Sequence, residues 1–249
     1  DAYVRTLLAL PGGDMLVGTN AGGLARFQAS TGRFHAYPTG AGGVSDPKIY
    51  DLASDGHGGA WIATDRGIDH LDVASGKVSV VPIGTEAAPR NFSVLQDGKG
   101  DLWLGNDRGL FVRRVGATAF TRVDATAPDV SAVLHNQIWA LHEDRDGRLW
   151  VGSGQAGVVY RGRDGKWHAV PGFSPSAHGR NFPTVRHFAQ SATGEEWIAT
   201  DGEGVLIYRP GAPTVRHVAH DPAVASSLQG DSIRDLLFDR SGNMWAATD

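Results

Sequence analysis

Tryptophan recurs along this chain at a nearly constant interval, and each of the recurring tryptophans closes the same seven-residue phrase. The phrase is Asp-x-x-Gly-x-x-Trp, and its four complete copies end at Trp61, Trp103, Trp150 and Trp245. Two weaker copies keep the spacing but change side chains, namely Ser191-Gly194-Trp197 and Leu10-Gly13-Leu16. The steps between the last residues of successive copies are 45, 42, 47, 47 and 48 residues. A repeat of this length is typical of one four-stranded blade of a β-propeller.

Each repeat begins with a short apolar segment rich in β-forming residues, which predicts the inner strand of a blade. These segments are Val4–Leu10, Ile49–Ser54, Phe92–Gln96, Ile138–Glu143, Val185–Gln190 and Ile233–Phe238. The phrase itself suits a turn, because Asp accepts hydrogen bonds from nearby backbone N–H groups and Gly tolerates a positive φ. We expect a second strand to carry the Trp, a third to follow a glycine, and a weak fourth to form the outer edge. Small residues in the second strand, such as Gly18 and Gly152, would allow neighbouring blades to approach closely.

The pattern predicts an all-β protein, a β-propeller of four-stranded antiparallel blades. About five and a half blades are expected, as an incomplete part of a seven-bladed ring. Residues 1–249 are treated as a single propeller segment, and no helix of useful length is predicted. The chain begins at Asp1 without an initiator Met, so we expect a piece of a longer protein. The predicted blades cover approximately residues 1–40, 41–84, 85–127, 128–173 and 174–221, with a partial blade over 222–249.

Composition excludes several classes of protein. The formal net charge is −4, from 23 Lys and Arg against 27 Asp and Glu, and no basic stripe of the kind expected in a nucleic-acid binder is visible. The chain has 0 Cys, which excludes disulfides and thiolate metal sites. No apolar run approaches the length of a membrane span. We expect no cofactor and no nucleic-acid partner, and contact with a membrane only through segments that lie outside this chain.

The phrase is most complete near the end of the chain. There, Ser227-Leu228 precedes Asp231-Ser232-Ile233-Arg234-Asp235-Leu236-Leu237-Phe238-Asp239-Arg240-Ser241-Gly242-Asn243-Met244-Trp245, and Asp144–Tyr160 is a second close copy. This pattern resembles the two-component regulator propeller repeat, and the resemblance extends over essentially the whole chain.

The resemblance implies a ligand-sensing, periplasmic region of a bacterial inner-membrane receptor. Such regions precede a membrane span and a cytoplasmic output, either a histidine kinase, often hybrid, or a diguanylate cyclase. The full-length protein is therefore expected to carry an output domain, while this segment is expected not to be an enzyme. The implied partners are a small-molecule or oligosaccharide ligand and the receptor's own chain, including a homodimer.

Motifs that could carry chemistry are weak in this sequence. The repeated Asp-x-x-Gly offers one or two oxygen ligands per turn, too few for a calcium loop. His217-x-x-His220-Asp221 has a metal-like spacing but falls on an outer strand and the loop that leaves it. Ser153 lacks the Gly-x-Ser-x-Gly setting of a nucleophile elbow. We therefore predict no catalytic residues and no metal site.

The loops at one end of the blades are the expected place for a ligand. In propellers, the loops from strand four to the next strand one and from strand two to strand three share one face. Their amide, guanidinium and imidazole groups could bind a polyhydroxylated or anionic ligand. Trp139, outside the tryptophan series, could also line a pocket, although packing is the simpler reading. The candidate ligand-binding residues are Arg66, Arg90, Asn91, Arg108, His135, Asn136, Arg180 and Asn181.

Two other functions stay open at this point. Streptogramin B lyase also contains a Gly-x-x-Trp phrase, but its family typically follows Trp with Phe-Thr and uses His with a divalent metal. Here Trp is followed by Ile-Ala-Thr or Val-Gly-Ser. The remaining alternative is a purely structural module that dimerises through blade sides or an open sheet edge.

Overall fold

A computed structural model describes residues 3–84, 90–173 and 182–248, and it contains five four-stranded antiparallel sheets. Each sheet is one blade, with its strands in chain order from the inner to the outer edge. Blade 1 contains β1 (Val4–Ala9), β2 (Met15–Thr19), β3 (Leu24–Gln28) and β4 (Arg33–Ala36). Blade 2 contains β5 (Ile49–Ser54), β6 (Ala60–Thr64), β7 (Ile68–Asp72) and β8 (Lys77–Val81). Blade 3 contains β9 (Asn91–Gln96), β10 (Leu102–Asn106), β11 (Gly109–Arg113) and β12 (Thr121–Arg122).

The second part of the chain continues the series after a short helix, α1 (Pro128–Leu134). Blade 4 contains β13 (Ile138–Glu143), β14 (Leu149–Ser153), β15 (Val158–Arg161) and β16 (Trp167–Ala169). Blade 5 contains β17 (Val185–Gln190), β18 (Glu196–Thr200), β19 (Val205–Tyr208) and β20 (Arg216–Val218). The last two strands, β21 (Ile233–Phe238) and β22 (Met244–Thr248), form a two-stranded sheet. Two compact units are present, Asp1–Arg122 with blades 1 to 3 and Val123–Asp249 with the rest.

The fold class and the four-stranded plan of the blades are confirmed, and two expectations need correction. The structure has five blades, neither five and a half nor seven, because β21 and β22 make a separate two-stranded sheet. A helix also forms at Pro128–Leu134, where none was expected. Pro128 at its start and the buried Val130, Val133 and Leu134 explain it, since three apolar residues at helical spacing give a seven-residue segment one buried face. A segment this short shows too little periodicity to be recognised beforehand.

The Asp of each complete phrase closes the turn between the first two strands. In blade 4, Asp144 Oδ1 accepts the backbone N–H groups of Asp146 and Arg148, both at 2.9 Å. The same bonds to the second and fourth following residues occur at Asp55, Asp97 and Asp239. Turn chemistry, predicted from the sequence, is therefore confirmed.

The second oxygen of the same carboxylate holds the tryptophan. Nε1 of Trp103, Trp150 and Trp245 donates to Oδ2 of the Asp six residues earlier, at 2.8, 3.0 and 3.0 Å respectively. Hydrogen bonds from Trp245 and Asn243 lower the pKa of the Asp239 carboxyl to about 2. The spacing of the phrase is thus explained, because one side chain satisfies both the turn and the indole.

Apolar clusters fill the space between neighbouring blades within each unit. One cluster joins blades 1 and 2, another joins blades 2 and 3, and a third joins blades 4 and 5 around the fully buried Trp150. Glycines in the second strands set how closely the blades approach. A Cβ on Gly18 would lie 2.7 Å from Ile49 Cγ2, and one on Gly152 would lie 2.4 Å from Val185 Cγ1.

Gly152→Ala is expected to destabilise the protein by about 1–3 kcal/mol, the usual range for overpacking a tight core. The added methyl would meet Val185 of blade 5, whose own position is fixed by β17. Urea unfolding followed by circular dichroism measures the change. Gly230→Ala is the control, because a Cβ there has no neighbour within 4 Å; equal stability of the two variants would contradict the expectation.

Candidate functional site: the bulge residues at the loop end of the blades

Every inner strand contains a β-bulge at the same place. We call the end of a blade where its first strand begins and its second strand ends the loop end. There, the pairing of the first strand with the second strand skips one residue of the first strand, and a bulge of this kind re-aims a side chain. The six residues, called the bulge residues below, are Arg5, Tyr50, Phe92, Trp139, Arg186 and Arg234.

The bulge residues differ in chemistry from their uniform surroundings. The residue before four of them is an apolar side chain that is at least 99% buried, Ile49, Ile138, Val185 or Ile233. The bulge residues are instead either aromatic or arginine, and Phe92 is the one that is buried. In these four copies the repeat keeps the apolar position that builds the fold, and the side chain beside it varies.

In blades 1 and 2, Arg5 and Tyr50 contact each other and their own second strands. The Arg5 guanidinium lies 4.5 Å from the Tyr50 ring centroid, and Arg5 Nη1 donates to Asn20 Oδ1 at 3.2 Å. The Tyr50 hydroxyl donates to Asp65 Oδ1 at 2.9 Å. Lys48 places its ammonium 5.0 Å from the same ring centroid. Burial of the hydroxyl is the main reason that the pKa of Tyr50 lies above its ordinary value.

Asp65 is the acceptor around which the cations of this unit gather. Arg90 Nε lies 3.1 Å from Asp65 Oδ1 and 4.0 Å from Asp107 Oδ2, and Lys48 Nζ lies 3.9 Å from Asp65. Lys48 and Arg90 therefore lie beside Asp65, and Arg5 lies over the Tyr50 ring, so these contacts bring three cations near two carboxylates. We call Arg5, Lys48, Tyr50, Asp65 and Arg90 the Tyr50 cluster.

In the other unit, the Asp201 carboxylate accepts contacts from cationic side chains, as Asp65 does in the first unit. Arg186 forms an ion pair with Asp201 and also lies over Trp139, its guanidinium 4.9 Å from the ring centroid. Arg234 Nη1 lies 3.5 Å from Asp201 Oδ2, and Ser232 Oγ donates to Asp201 Oδ1 at 2.8 Å. Hydrogen bonding from Arg186 holds the pKa of the Asp201 carboxyl below its ordinary value.

The acceptors also follow the repeat. Asn20, Asp65 and Asp201 each leave the second strand of their blade at the same position, and each binds the bulge residue of that blade. Blade 4 has Gly154 there instead. A Cβ on Gly154 would lie 3.1 Å from Trp139 Nε1, so the glycine makes room for the indole. In blade 4 the large bulge residue Trp139 therefore goes with a glycine at the position where three other blades have an acceptor.

The residues predicted from the sequence fall in several places. Arg90 joins the Tyr50 cluster, whereas Arg66 is an exposed side chain paired with Asp46 at 3.2 Å. The Arg108 backbone is held by Asn106 and Arg122. Asn91 is fully buried at the start of β9, which favours a structural role.

The other predicted residues belong to the second unit or lie outside the described ranges. His135 Nε2 lies 2.6 Å from Asp124 Oδ1, and Asn136 Oδ1 accepts the Gln155 backbone N–H at 3.3 Å. Arg180 and Asn181 lie outside the described residues. Trp139, considered at first as a possible pocket residue, is one of the bulge residues.

Sequence reasoning missed most of the bulge residues because it considered loops rather than strands. The available signal was the residue directly after the first apolar residue of each inner strand, which is aromatic or arginine in five of the six copies; in blade 3 the bulge residue Phe92 follows Asn91 instead. Loop position alone did not indicate which side chains would meet, because the bulge is a property of strand register.

Side chains that could hold a metal do not converge in the described part of the chain. No group of three or more His, Cys, Asp or Glu is found there. His217 contacts the Glu203 carbonyl, and His220 Nδ1 lies 2.5 Å from the Leu228 carbonyl. Both histidines therefore contact backbone oxygens of loops between strands.

The tandem blades define a β-propeller built from repeats. The family model described as the two component regulator propeller matches residues 132–155 and 227–249, so the resemblance is confirmed over these two segments. No curated protein matches the chain. No helix within the described ranges is long and apolar enough to cross a bilayer.

Solved structures share the fold at low sequence identity. The extracellular domain of the hybrid two component system BT3049 of Bacteroides thetaiotaomicron matches with a TM-score of 0.80 and 18% identity, over 98% of this chain and 32% of that one. PorZ, a surface component of the type-IX secretion system of Porphyromonas gingivalis, matches with 0.73 and 18%, over 98% and 37%. Streptogramin B lyase matches with 0.74 and 16%, over 100% and 77%. The chain thus spans about a third of the BT3049 extracellular domain.

Asp201→Asn is expected to lower stability by roughly 1.5 kcal/mol, as for loss of a charge-assisted hydrogen bond. Removing the carboxylate leaves Arg186 and Arg234 beside each other without their shared anion. The loss should shrink at high salt, which screens the repulsion between the two guanidinium groups. Thermal unfolding at low and high salt measures it.

The control for this change is Asp164→Asn. Asp164 is exposed and accepts only the Lys166 backbone N–H in the bonds described, at 3.0 Å. Its substitution should show no salt-dependent loss. A loss at Asp201 that does not depend on salt would contradict the role assigned to its charge.

Proposed function

We propose that this chain is the ligand-sensing part of a periplasmic receptor region and performs no catalysis itself. The receptor would be a bacterial two-component or diguanylate cyclase protein, with its output domain elsewhere in the full-length chain. The repeat family supports this proposal, together with the likeness to the extracellular domain of a hybrid two component system. Binding free energy would reach the output only through a change in the propeller or in its contacts with the rest of the receptor.

The ligand would bind at the loop end of the blades and would carry negative charge. The observation that carries this proposal is the Tyr50 cluster. Its cations are held in place by an aromatic ring and by Asp65, so little side-chain entropy would be lost on binding. Guanidinium groups donate in a planar fork that matches carboxylate, sulfate or phosphate. An acidic oligosaccharide combines such groups with hydroxyls that the amides and carboxylates of the loop end could bind.

The 249-residue chain should bind an acidic oligosaccharide more tightly than its neutral counterpart. Matched acidic and neutral oligosaccharides would be compared by isothermal titration calorimetry. Affinity should fall as salt rises, because the interaction is between charges. Absence of binding across such a panel, together with no effect on receptor output, would contradict the proposal. Metal-dependent turnover of a cyclic depsipeptide would favour a lyase instead.

Lys48→Met should weaken binding of the acidic ligand by about tenfold, which corresponds to about 1.4 kcal/mol. The substitution removes one cation of the Tyr50 cluster while keeping most of the side-chain volume. Lys77→Met is the matched control, because Lys77 begins β8 at the opposite end of the same blade. If the two substitutions weaken binding equally, the site is not at the loop end. Light scattering of both variants would show whether either substitution changes the oligomeric state of the chain.

A further inference from the structure

Glu196 occupies a repeat position that is apolar in every other copy. It begins β18 and directly precedes Trp197. The residues at the same place in the other copies are Met15, Ala60, Leu102, Leu149 and Met244. Blade 5 therefore has an ionisable group where the others have core packing, and the turn and the fold do not require it.

The Glu196 side chain is completely buried against blade 4. Its exposed fraction is 0%, and neither carboxyl oxygen has a hydrogen-bond partner among the described residues. The nearest polar atom identified is His142 Nε2 on β13, 3.5 Å from Glu196 Oε1. That nitrogen is also enclosed and has no hydrogen-bond partner in the same part of the structure. The rings of Trp150, Tyr208 and Phe188 belong to the surrounding cluster.

The charged groups facing this pair are engaged elsewhere. Asp144 binds its turn, Trp150 and Arg148. Arg145 donates to Gln190 Oε1 at 2.8 Å and to the Ser191 carbonyl, both in blade 5. His187, which faces His142 from β17, pairs with Asp235 at 2.9 Å. An ionised Glu196 would be repelled by Asp144 and attracted by Arg145 and Arg148, but burial is the largest effect on its charge, and the described contacts of both arginines are to other groups.

The low-polarity surroundings favour the uncharged form of both groups. Burial raises the pKa of Glu196 to about 9 and lowers the pKa of His142 to about 4. At neutral pH the carboxylic acid and the neutral imidazole face each other without net charge. Loss of the Glu196 proton would place a bare carboxylate in this setting, which is costly unless water enters.

We propose that Glu196 and His142 make the junction between blades 4 and 5 a proton-dependent contact, closed while Glu196 is protonated and loosened when it ionises at alkaline pH. The proposal does not depend on the identity of a ligand. Blade 5 also carries Arg186 and Asp201 at its loop end, so a loosened junction would alter the network at the loop end as well. The receptor's sensing part would then respond to external pH through its own core.

The sign of the pH dependence follows from the two groups. Glu196 binds its proton more tightly when folded, so its contribution to stability is complete below about 4.5, its ordinary pKa, and is lost as pH rises towards about 9. His142 binds its proton less tightly when folded, so its contribution falls as pH drops from 6.5 towards about 4. The two slopes cancel between about pH 4.5 and 6.5, and stability should fall above 6.5.

Glu196→Gln should remove the alkaline loss, because the amide cannot ionise. From about pH 6.5 to 9, the folded-to-unfolded ratio of the unsubstituted chain should fall relative to the variant by up to about tenfold per pH unit. Denaturant unfolding at a series of pH values measures this. Glu195→Gln is the matched control, since the neighbouring Glu195 pairs with Arg216 at the surface and should leave the slope unchanged.

A second variant and a second measurement test the same proposal independently. Glu196→Leu restores the apolar residue of the other repeats and should also abolish the alkaline slope. Trypsin cleavage after Arg145 reports the junction directly, because this side chain is held by Gln190 and Ser191 across it. At pH 9, cleavage there should be faster in the unsubstituted chain than in Glu196→Gln. Equal slopes and equal cleavage rates would overturn the proposal.

Discussion

In blades 3 and 4 and in the last two-stranded sheet, one carboxylate does two things at once. One oxygen accepts the backbone N–H groups of the turn between the first two strands, and the other accepts the indole N–H of the tryptophan six residues later. The turn fixes the register of the first two strands. The indole is therefore held at a fixed position along the blade, against the neighbouring apolar cluster. The regular spacing of tryptophan therefore reflects a hydrogen-bonded turn that recurs along the chain and helps to build its core.

Departures from this unit show how the repeat tolerates change. In blade 2, Trp61 donates instead to Gln96 Oε1 at 2.6 Å, and Asp55 is shared with His70 at 2.8 Å. In blade 5, Ser191 replaces the Asp, and the enclosed Trp197 Nε1 has no hydrogen-bond partner among the described residues. The same blade contains the buried Glu196. Blade 5 thus has buried polar groups without hydrogen bonds on both of its faces, which is uncommon in folded proteins.

The sequence was sufficient to predict the propeller class and the strand order, because period and turn chemistry are local properties. It also indicated that Gly18 and Gly152 would lie between closely packed blades. Helix α1 was missed, since a single helical turn and a half leaves little periodicity. Of the predicted site residues within the described ranges, Arg90 alone joins the Tyr50 cluster. Which loop-end side chains meet depends on the register shift in each first strand, and register cannot be read from composition or spacing.

That register shift separates two roles of a strand residue, namely pairing within the sheet and presenting a side chain at the loop end. The strand pairing skips each bulge residue, so its side chain is less constrained by the pairing of the sheet. Six such positions recur along the chain, and four of them follow a buried apolar residue of the core. The bulge side chains can therefore be exchanged, and new recognition properties acquired, while the residues that build the fold stay the same. By this route one repeat could give rise to many specificities.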